Sequence, residues 1–302
     1  MLPLLPLLLL LASSALLAIP HRGAAADTKK LVFVLAGQSN MAGRGGVARD
    51  RWDHIVPRQC RPTPSVIRLS ASLRWEVAAE PLHADVDFRH TCGVGPGLAF
   101  AEALRSSVAG EGELIRLVPC AVGGTRIEEW EKGRELYEEM VRRARKATAA
   151  EEEEEEGGRI GAVLWYQGES DTVYQEDAES YGGRMERMIR DLRDDLGLPG
   201  LLVIQVAIAS GEGPFIDIVR EAQKGIKLPN VRCVDAKGLA LEADHLHLTT
   251  HAQVKLGEML AESYLTHDIG TEAVSLAKRS GISGKYLWWK DEIDVAQGAR
   301  KP

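Results

Sequence analysis

Short runs that are apolar on both faces alternate along this chain with longer stretches patterned as helices. The runs fall at residues 31–35, 114–118, 162–166, 201–208 and 231–235. A strand covered by helices on both faces reads this way, because neither face meets water. Helical patterns occupy 97–107, 134–150, 181–196 and 215–226, and a last one at 251–264 follows the fifth strand. Alternation of this kind, with connections this long, predicts a doubly wound three-layer α/β sandwich around a mostly parallel five-stranded sheet. Residues 44–95 are long for a simple connection. They contain strand-like VIRL at 66–69 and WEVA at 75–78, and are read as a loop excursion walling a site, carrying Arg44, Trp52 and Trp75. No internal repeat is visible.

Open parallel sheets bind ligands beyond the carboxyl ends of their strands, which makes the residues after each strand the ones to read. The first strand runs into Gly37-Gln38-Ser39-Asn40 and the second into Cys120 to Thr125, CAVGGT. The third ends in Gln167 to Asp171, QGESD, and ADHLHLT follows the fifth. The fourth strand's AIASGEGP carries less chemistry.

A serine is inert at neutral pH without a base, and an imidazole base needs a carboxylate to orient it. Asp244-His245-Leu246-His247 supplies both. The D-x-x-H spacing in a turn lets Asp244 reach Nδ1 of His247 and leaves Nε2 to face another strand end. Ser39, His247 and Asp244 are therefore the candidate nucleophile, base and orienting acid. His245 is the rival base, with a harder geometry to close onto its neighbouring aspartate. A metal cluster of His245, His247 and His251 is the other reading of these histidines, without thiol support, and no metal is expected.

An oxyanion needs fixed donors where charge develops, each worth about 2.7–4 kcal/mol on the barrier. The N–H groups of Ser39 and of Gly123 or Gly124 are candidates, since glycine permits the close approach such a loop requires. A third donor would be a side-chain amide. Asn230 precedes a strand at the wrong edge, which leaves Asn40 or Gln167, and Gln167 at the end of LWYQ is favoured. Candidate substrate-binding residues are Gln38, Asn40, Arg126 and Glu169. Glu169 and Asp171 either bind a substrate or hold their loop, and Arg126 and Trp130 are open in the same way.

Composition narrows the class. The chain has 302 residues, 45% apolar, and a formal charge of −7, which suits one α/β domain and argues against a nucleic-acid partner. Part of the charge is one run, Glu151 to Glu156, read as a solvated loop or helix end. Residues 1–26 hold an apolar core from Leu2 to Ile19, then Ala24-Ala25-Ala26 before Asp27. That pattern predicts a secretory signal cleaved near Ala26, although a basic n-region is missing; an uncleaved anchor is the alternative. No second apolar run matches it, so the mature chain is expected to lack a membrane span and to be extracellular. The only asparagines, Asn40 and Asn230, begin no N-x-S/T sequon. Cys60, Cys92, Cys120 and Cys233 permit disulfides in an exported protein. Cys60 and Cys92 lie in irregular segments and are the pair expected first. The tail 268–302, with KYLWWKDE, is an extension of unknown role in which Trp288 and Trp289 are expected to pack on the domain.

GQSNMAGRG, AVGGTRIEEW, WYQGESD and DHLHLTT, in this order, resemble the SGNH hydrolase superfamily, and within it the sialate O-acetylesterase-like branch, carbohydrate esterase family 6, with its plant members. The resemblance runs from about Leu31 to Tyr264. It implies a flavodoxin-like sheet in a domain of residues 27–267, and a cofactor-free, metal-free serine esterase that removes acetyl groups from polysaccharide. It also implies Ser39, Asp244 and His247 as the triad, with Ser39 N–H, a glycine of the GGT block and Gln167 as the oxyanion hole. The superfamily has asparagine in the third block where this chain has glutamine, which looks like a signature of the branch. The expected partner is an acetylated polysaccharide or oligosaccharide, such as xylan. A general small-ester hydrolase and a carbohydrate-binding protein with a vestigial triad are the rival readings.

Overall fold

The computed structural model describes residues 30–107, 114–150 and 157–279, with side chains through residue 267. The leader, the run Glu151 to Glu156, and Trp288 and Trp289 of the tail lie outside the described residues. The central strand is β1 (Lys30–Gly37), every residue of which beyond Lys30 is buried. It pairs in parallel with β6 (Leu114–Pro119) on one side and β7 (Arg159–Tyr166) on the other. Next to β7 come β8 (Val203–Ala207) and β9 (Val231–Asp235), also parallel. These are the five expected strands.

The sheet nonetheless has seven. Val66–Leu69, β4, adds in parallel to β6, and Trp75–Val77, β5, closes that edge antiparallel to β4. The full order is β5-β4-β6-β1-β7-β8-β9. The segment read as a loop excursion therefore extends the sheet, because the edge of β6 would otherwise leave backbone donors and acceptors unpaired. The same segment carries a small hairpin of β2 (Val47–Ala48) and β3 (Arg51–Trp52).

Helices cover both faces. After the one-turn helix α1 (Ser39–Ala42) come α2 (Pro96–Ser107), α3 (Glu135–Thr148), α4 (Gln175–Leu196), α5 (Ile216–Gly225) and α6 (Thr250–Arg279). Phe33 of β1 turns toward α2 and α6, meeting Phe100 and Tyr264 edge-on with centroids 4.8 and 5.1 Å away. Trp165 of β7 turns to the opposite face, edge-on to Trp130 at 5.1 Å, and donates to Tyr181 of α4. Such aromatic pairs add to the apolar burial that holds the layers together. Helix α4 starts six residues before the expected 181, and α6 runs past 264 into the expected extension. Among the described residues no helix is long and apolar enough to cross a membrane.

The expected Cys60–Cys92 bridge is not formed, and all four cysteines are free. Arg44 Nη1 donates to Cys92 Sγ at 3.4 Å. Burial pushes the Cys92 thiol up to about 11 and raises that of Cys60 as well.

Candidate active site

Strand β1 stops at Gly37 for a steric reason. Its φ is +126°, and a Cβ there would sit 2.1 Å from the carbonyl oxygen of Tyr166 at the end of β7. Only glycine accepts that approach. The chain then turns at once, Gln38 N–H donating to Tyr166 O at 2.8 Å, and Ser39 opens α1. The N–H of a first helical residue has no carbonyl four positions back, so that of Ser39 is available at the rim.

The histidine loop comes from the far end of the chain. Ser39 Oγ lies 3.0 Å from His247 Nε2, across 208 positions of sequence, and His247 Nδ1 lies 2.7 Å from Asp244 Oδ2. With Nδ1–H donated to the carboxylate, Nε2 is the acceptor for the serine proton. The second carboxylate oxygen, Asp244 Oδ1, accepts from the N–H groups of Leu246 and His247 at 2.9 and 3.0 Å. Burial raises the Asp244 pKa, but these three bonds hold it below the usual carboxylate value. His245, the rival base, sits with φ +58° and is exposed, in the left-handed turn that lets Asp244 and His247 face each other. Among the described residues no group of three or more His, Cys, Asp or Glu side chains is arranged to hold a metal.

Beneath this line lies a layer of fully buried amides. Gln38 Oε1 accepts from Gly168 N–H at 3.2 Å and from Gln167 Nε2 at 3.3 Å, and its Nε2 donates to Ser170 Oγ. Asn40 Nδ2 donates to Glu169 Oε1 at 2.7 Å and to Leu246 O at 3.3 Å, while its Oδ1 accepts from Leu248 N–H at 2.8 Å. Asn40 thus grips the backbone on both sides of His247. Ser210 Oγ adds a bond to Leu246 O at 2.5 Å, and Gln253 of α6 donates to Asn40 O at 3.1 Å.

These bonds change several expected roles. Gln38, Asn40 and Glu169 have no exposed surface, so they brace the site rather than meet a sugar. Arg126 pairs with Glu128 at 2.7 Å and Asp177 at 3.3 Å on the rim. Gln167 is also fully buried, and its amide hydrogens point to Thr125 O at 2.8 Å, Asp171 Oδ2 at 2.5 Å and Gln38 Oε1. In this geometry it does not present a donor to an oxyanion; it ties the end of β7 to the turn after β6. Gly123 N–H donates to Asp87 Oδ2 at 3.2 Å. Gly124 is exposed at φ +69° with open space around an added Cβ, and its N–H and that of Ser39 remain the candidate donors.

Two carboxyls sit in this underlayer. Burial pushes Glu169 up to about 7 against the bond from Asn40, and its Oε2 has no partner. Burial likewise pushes Asp171 up to about 7, opposed by Gln167 and by Ile127 N–H. Asp87, whose side chain is wholly buried, was not expected from the sequence. It accepts from Arg44 Nη2 at 2.5 Å and from Gly123, and its other oxygen lies 2.7 Å from His90 Nδ1. An advance signal was present in the spacing, since Asp87-Phe88-Arg89-His90 repeats the D-x-x-H of Asp244 to His247.

A hydroxyl aligned with an imidazole and a carboxylate, above the carboxyl edge of a parallel sheet, is an arrangement that can activate a nucleophile toward an ester carbonyl. Residues 29–266 match the model of the family described as carbohydrate esterase, sialic acid-specific acetylesterase, and the chain belongs to that family. It is a carboxylic ester hydrolase. A probable carbohydrate esterase of Arabidopsis thaliana is 58% identical over 242 residues, covering 78% of this chain and 90% of that protein. An X-ray structure of an Arabidopsis thaliana protein superposes with a TM-score of 0.75 at 57% identity, covering 79% of this chain and 98% of the other. The crystal structure of NanS shares the fold at 16% identity, with a TM-score of 0.62 over 80% of this chain and 98% of NanS. That of a carbohydrate acetylesterase from Xanthomonas citri does so at 21% identity, with a TM-score of 0.52 over 77% of this chain and 55% of the other.

Proposed function

We propose that this chain is a serine O-acetylesterase of carbohydrate, acting on acetylated plant cell-wall polysaccharide such as xylan through an acetyl-serine intermediate. The observation that carries the proposal is the unbroken line from Ser39 Oγ through His247 to Asp244, at 3.0 and 2.7 Å. The plant relative, a probable carbohydrate esterase, supports the carbohydrate and the setting.

His247 Nε2 takes the hydroxyl proton as Ser39 Oγ bonds to the acetyl carbonyl carbon. The carbonyl electrons move onto oxygen, which the N–H groups of Ser39 and Gly124 stabilise. Collapse breaks the bond to the sugar oxygen, which leaves with the proton from His247. Water then attacks the acetyl-serine, giving its proton to His247, and acetate departs as Ser39 recovers its hydrogen. Asp244 keeps the imidazole in the reactive tautomer and stabilises its charged form.

Residues 1–26 are proposed to direct the chain into the secretory route, with 27–267 as the esterase body and 268–302 as an extension; the exported protein then begins at Asp27, which N-terminal sequencing reads. The function is tested by acetate release from acetylated xylan, beside Ser39→Ala and a p-nitrophenyl acetate assay. Release that disappears in the variant is the expected result. Hydrolysis of the small ester alone discards the polysaccharide, and a folded protein inactive on both discards the esterase chemistry.

A further inference from the structure

A cleft of about 970 Å³ opens beside the nucleophile on the β4–β6 side of the sheet, between the 85–90 segment, the turn after β6 and the start of α3. Neither Ser39 nor His247 lines it. It reaches the site through Gly123 and Gly124, and Val122 N–H donates to Gly37 O at 2.9 Å, which sets that glycine wall next to the turn that carries Ser39. The volume lies at the upper end of the range of small-molecule sites and far exceeds an acetyl group. The cleft is placed for what the acetyl group is attached to.

Two side chains on its wall stand out. Phe88 is 73% exposed, the most exposed large apolar side chain among the described residues, with the Arg89 guanidinium 5.6 Å from its ring centroid. A phenyl ring so exposed at the mouth of the cleft offers a flat apolar face of the kind that the C–H face of a pyranose covers. His90 is half-exposed, but its Nδ1 is anchored 2.7 Å from Asp87, whose carboxylate is buried and held in turn by Arg44 and Gly123 N–H. That anchoring fixes the ring and leaves Nε2 to the cleft. One carboxylate therefore positions both His90 and the glycine turn of the reaction site.

Charge does not choose the sugar here. Of the carboxylates that line the cleft, Asp85, Asp87 and Glu128 are paired from outside its lining by Arg68, Arg44 and Arg126, which brings the wall close to charge balance. We infer that this cleft is a subsite for the glycan that carries the acetyl group, with Phe88 as its stacking face and His90 Nε2 as its hydroxyl partner. The inference rests on the carbohydrate-esterase reading and adds a location to it.

The test compares kcat/KM on acetylated xylo-oligosaccharide, O-acetylated sialic acid and p-nitrophenyl acetate in the full-length enzyme. In Phe88→Ala and in His90→Ala, the ratio of the neutral oligosaccharide to p-nitrophenyl acetate should fall about tenfold, through KM. Phe88→Trp should restore it, because the stacking face returns; a general fold defect would not be rescued this way. Unaltered ratios in both alanine variants, with the wild type active on the oligosaccharide, overturn the subsite alone. A wild type that cleaves p-nitrophenyl acetate but neither sugar ester overturns the carbohydrate reading and the subsite with it.

Discussion

Replacing Glu169 by glutamine should flatten the pH dependence of stability. Glu169 is fully buried, one oxygen accepts from Asn40 at 2.7 Å, and the other has no partner. Burial raises its pKa from 4.5 to about 7. A carboxyl raised in the folded state keeps its proton after the unfolded chain has ionised, so folding loses stability as pH rises from 4.5 to about 7 and levels off above. At about 1.4 kcal/mol per pH unit, that window amounts to about 3 kcal/mol. Asp171, raised to about 7, and Glu80, raised to about 8, tilt the wild-type curve in the same direction. Glutamine keeps the acceptor for Asn40 and places an uncharged NH2 where the second oxygen was. Whatever that amide costs is independent of pH and cancels in the slope.

The assay is urea unfolding of wild type and Glu169→Gln at intervals from about pH 4 to about pH 8, with the unfolding free energies subtracted at each pH. The difference should change by about 3 kcal/mol in favour of the variant, all of it between pH 4.5 and about 7. Parallel curves across that window would refute the reasoning. They would mean that Glu169 titrates alike in folded and unfolded chains, and that Asn40 is held by an ordinary carboxylate.

Asn40→Ala leaves Leu248 N–H and Glu169 without their partner, so stability should fall by about 2–6 kcal/mol, at about 1–3 per stranded group. Because the His247 backbone loses its grip on α1, kcat on p-nitrophenyl acetate should drop more than KM changes. Arg143 is wholly buried and donates to Pro119 O at 2.8 Å, Ser70 O at 3.1 Å and Leu69 O at 2.6 Å. Arg143→Met takes the guanidinium from Pro119 O and Leu69 O, while Ser70 O keeps the Leu73 N–H at 3.0 Å, and should cost about 2–6 kcal/mol, read in a denaturant melt. Thiol titration of the protein denatured without reductant should count all four cysteines, since each is free; a count of two would show a bridge.

The sequence revealed the site's rim better than its interior. A buried parallel strand announces itself by being apolar on both faces, and the residue that follows must lie at the sheet's edge; Ser39 and the 244–247 loop could be placed without coordinates. The bond between Nδ1 of His247 and Asp244 is local, and its D-x-x-H spacing is visible in the chain. Which way a side chain turns at the rim is not local. Gln38 and Ser39 are neighbours, yet one points into the molecule and the other out, and no pattern distinguishes an amide that braces from one that binds. Strands β4 and β5 were missed as sheet members because four and three residues carry too little periodicity to separate a paired strand from an extended loop. The Asp87–His90 pair has the same D-x-x-H spacing and was legible, but the link of Asp87 to Arg44 and Gly123, 43 and 36 positions away, was not.

What the interior adds is a way of holding a long-range geometry without adding charge beneath it. Ser39 and His247 must stay in hydrogen-bond contact across 208 positions of chain, and the loop that carries His247 is partly exposed on its own. The groups that fix it are Gln38, Asn40, Gln167, Gln223 and Gln253, all fully buried, drawn from the ends of β1 and β7 and from α5 and α6. An amide offers both a donor and an acceptor, and Gln38, Asn40 and Gln223 use both to tie two segments at once. Gln223, for example, donates to Gln167 O at 2.9 Å and accepts from Ile208 N–H at 3.0 Å. A fixed charge at these positions would act on the imidazole and on the forming oxyanion through a medium that screens poorly. The two carboxyls that do lie there, Glu169 and Asp171, are both pushed up toward 7, so their own negative charge is suppressed through mildly acidic pH. Asp244 is the carboxylate in contact with the base, and it is held below its usual pKa by two backbone N–H groups and His247 itself.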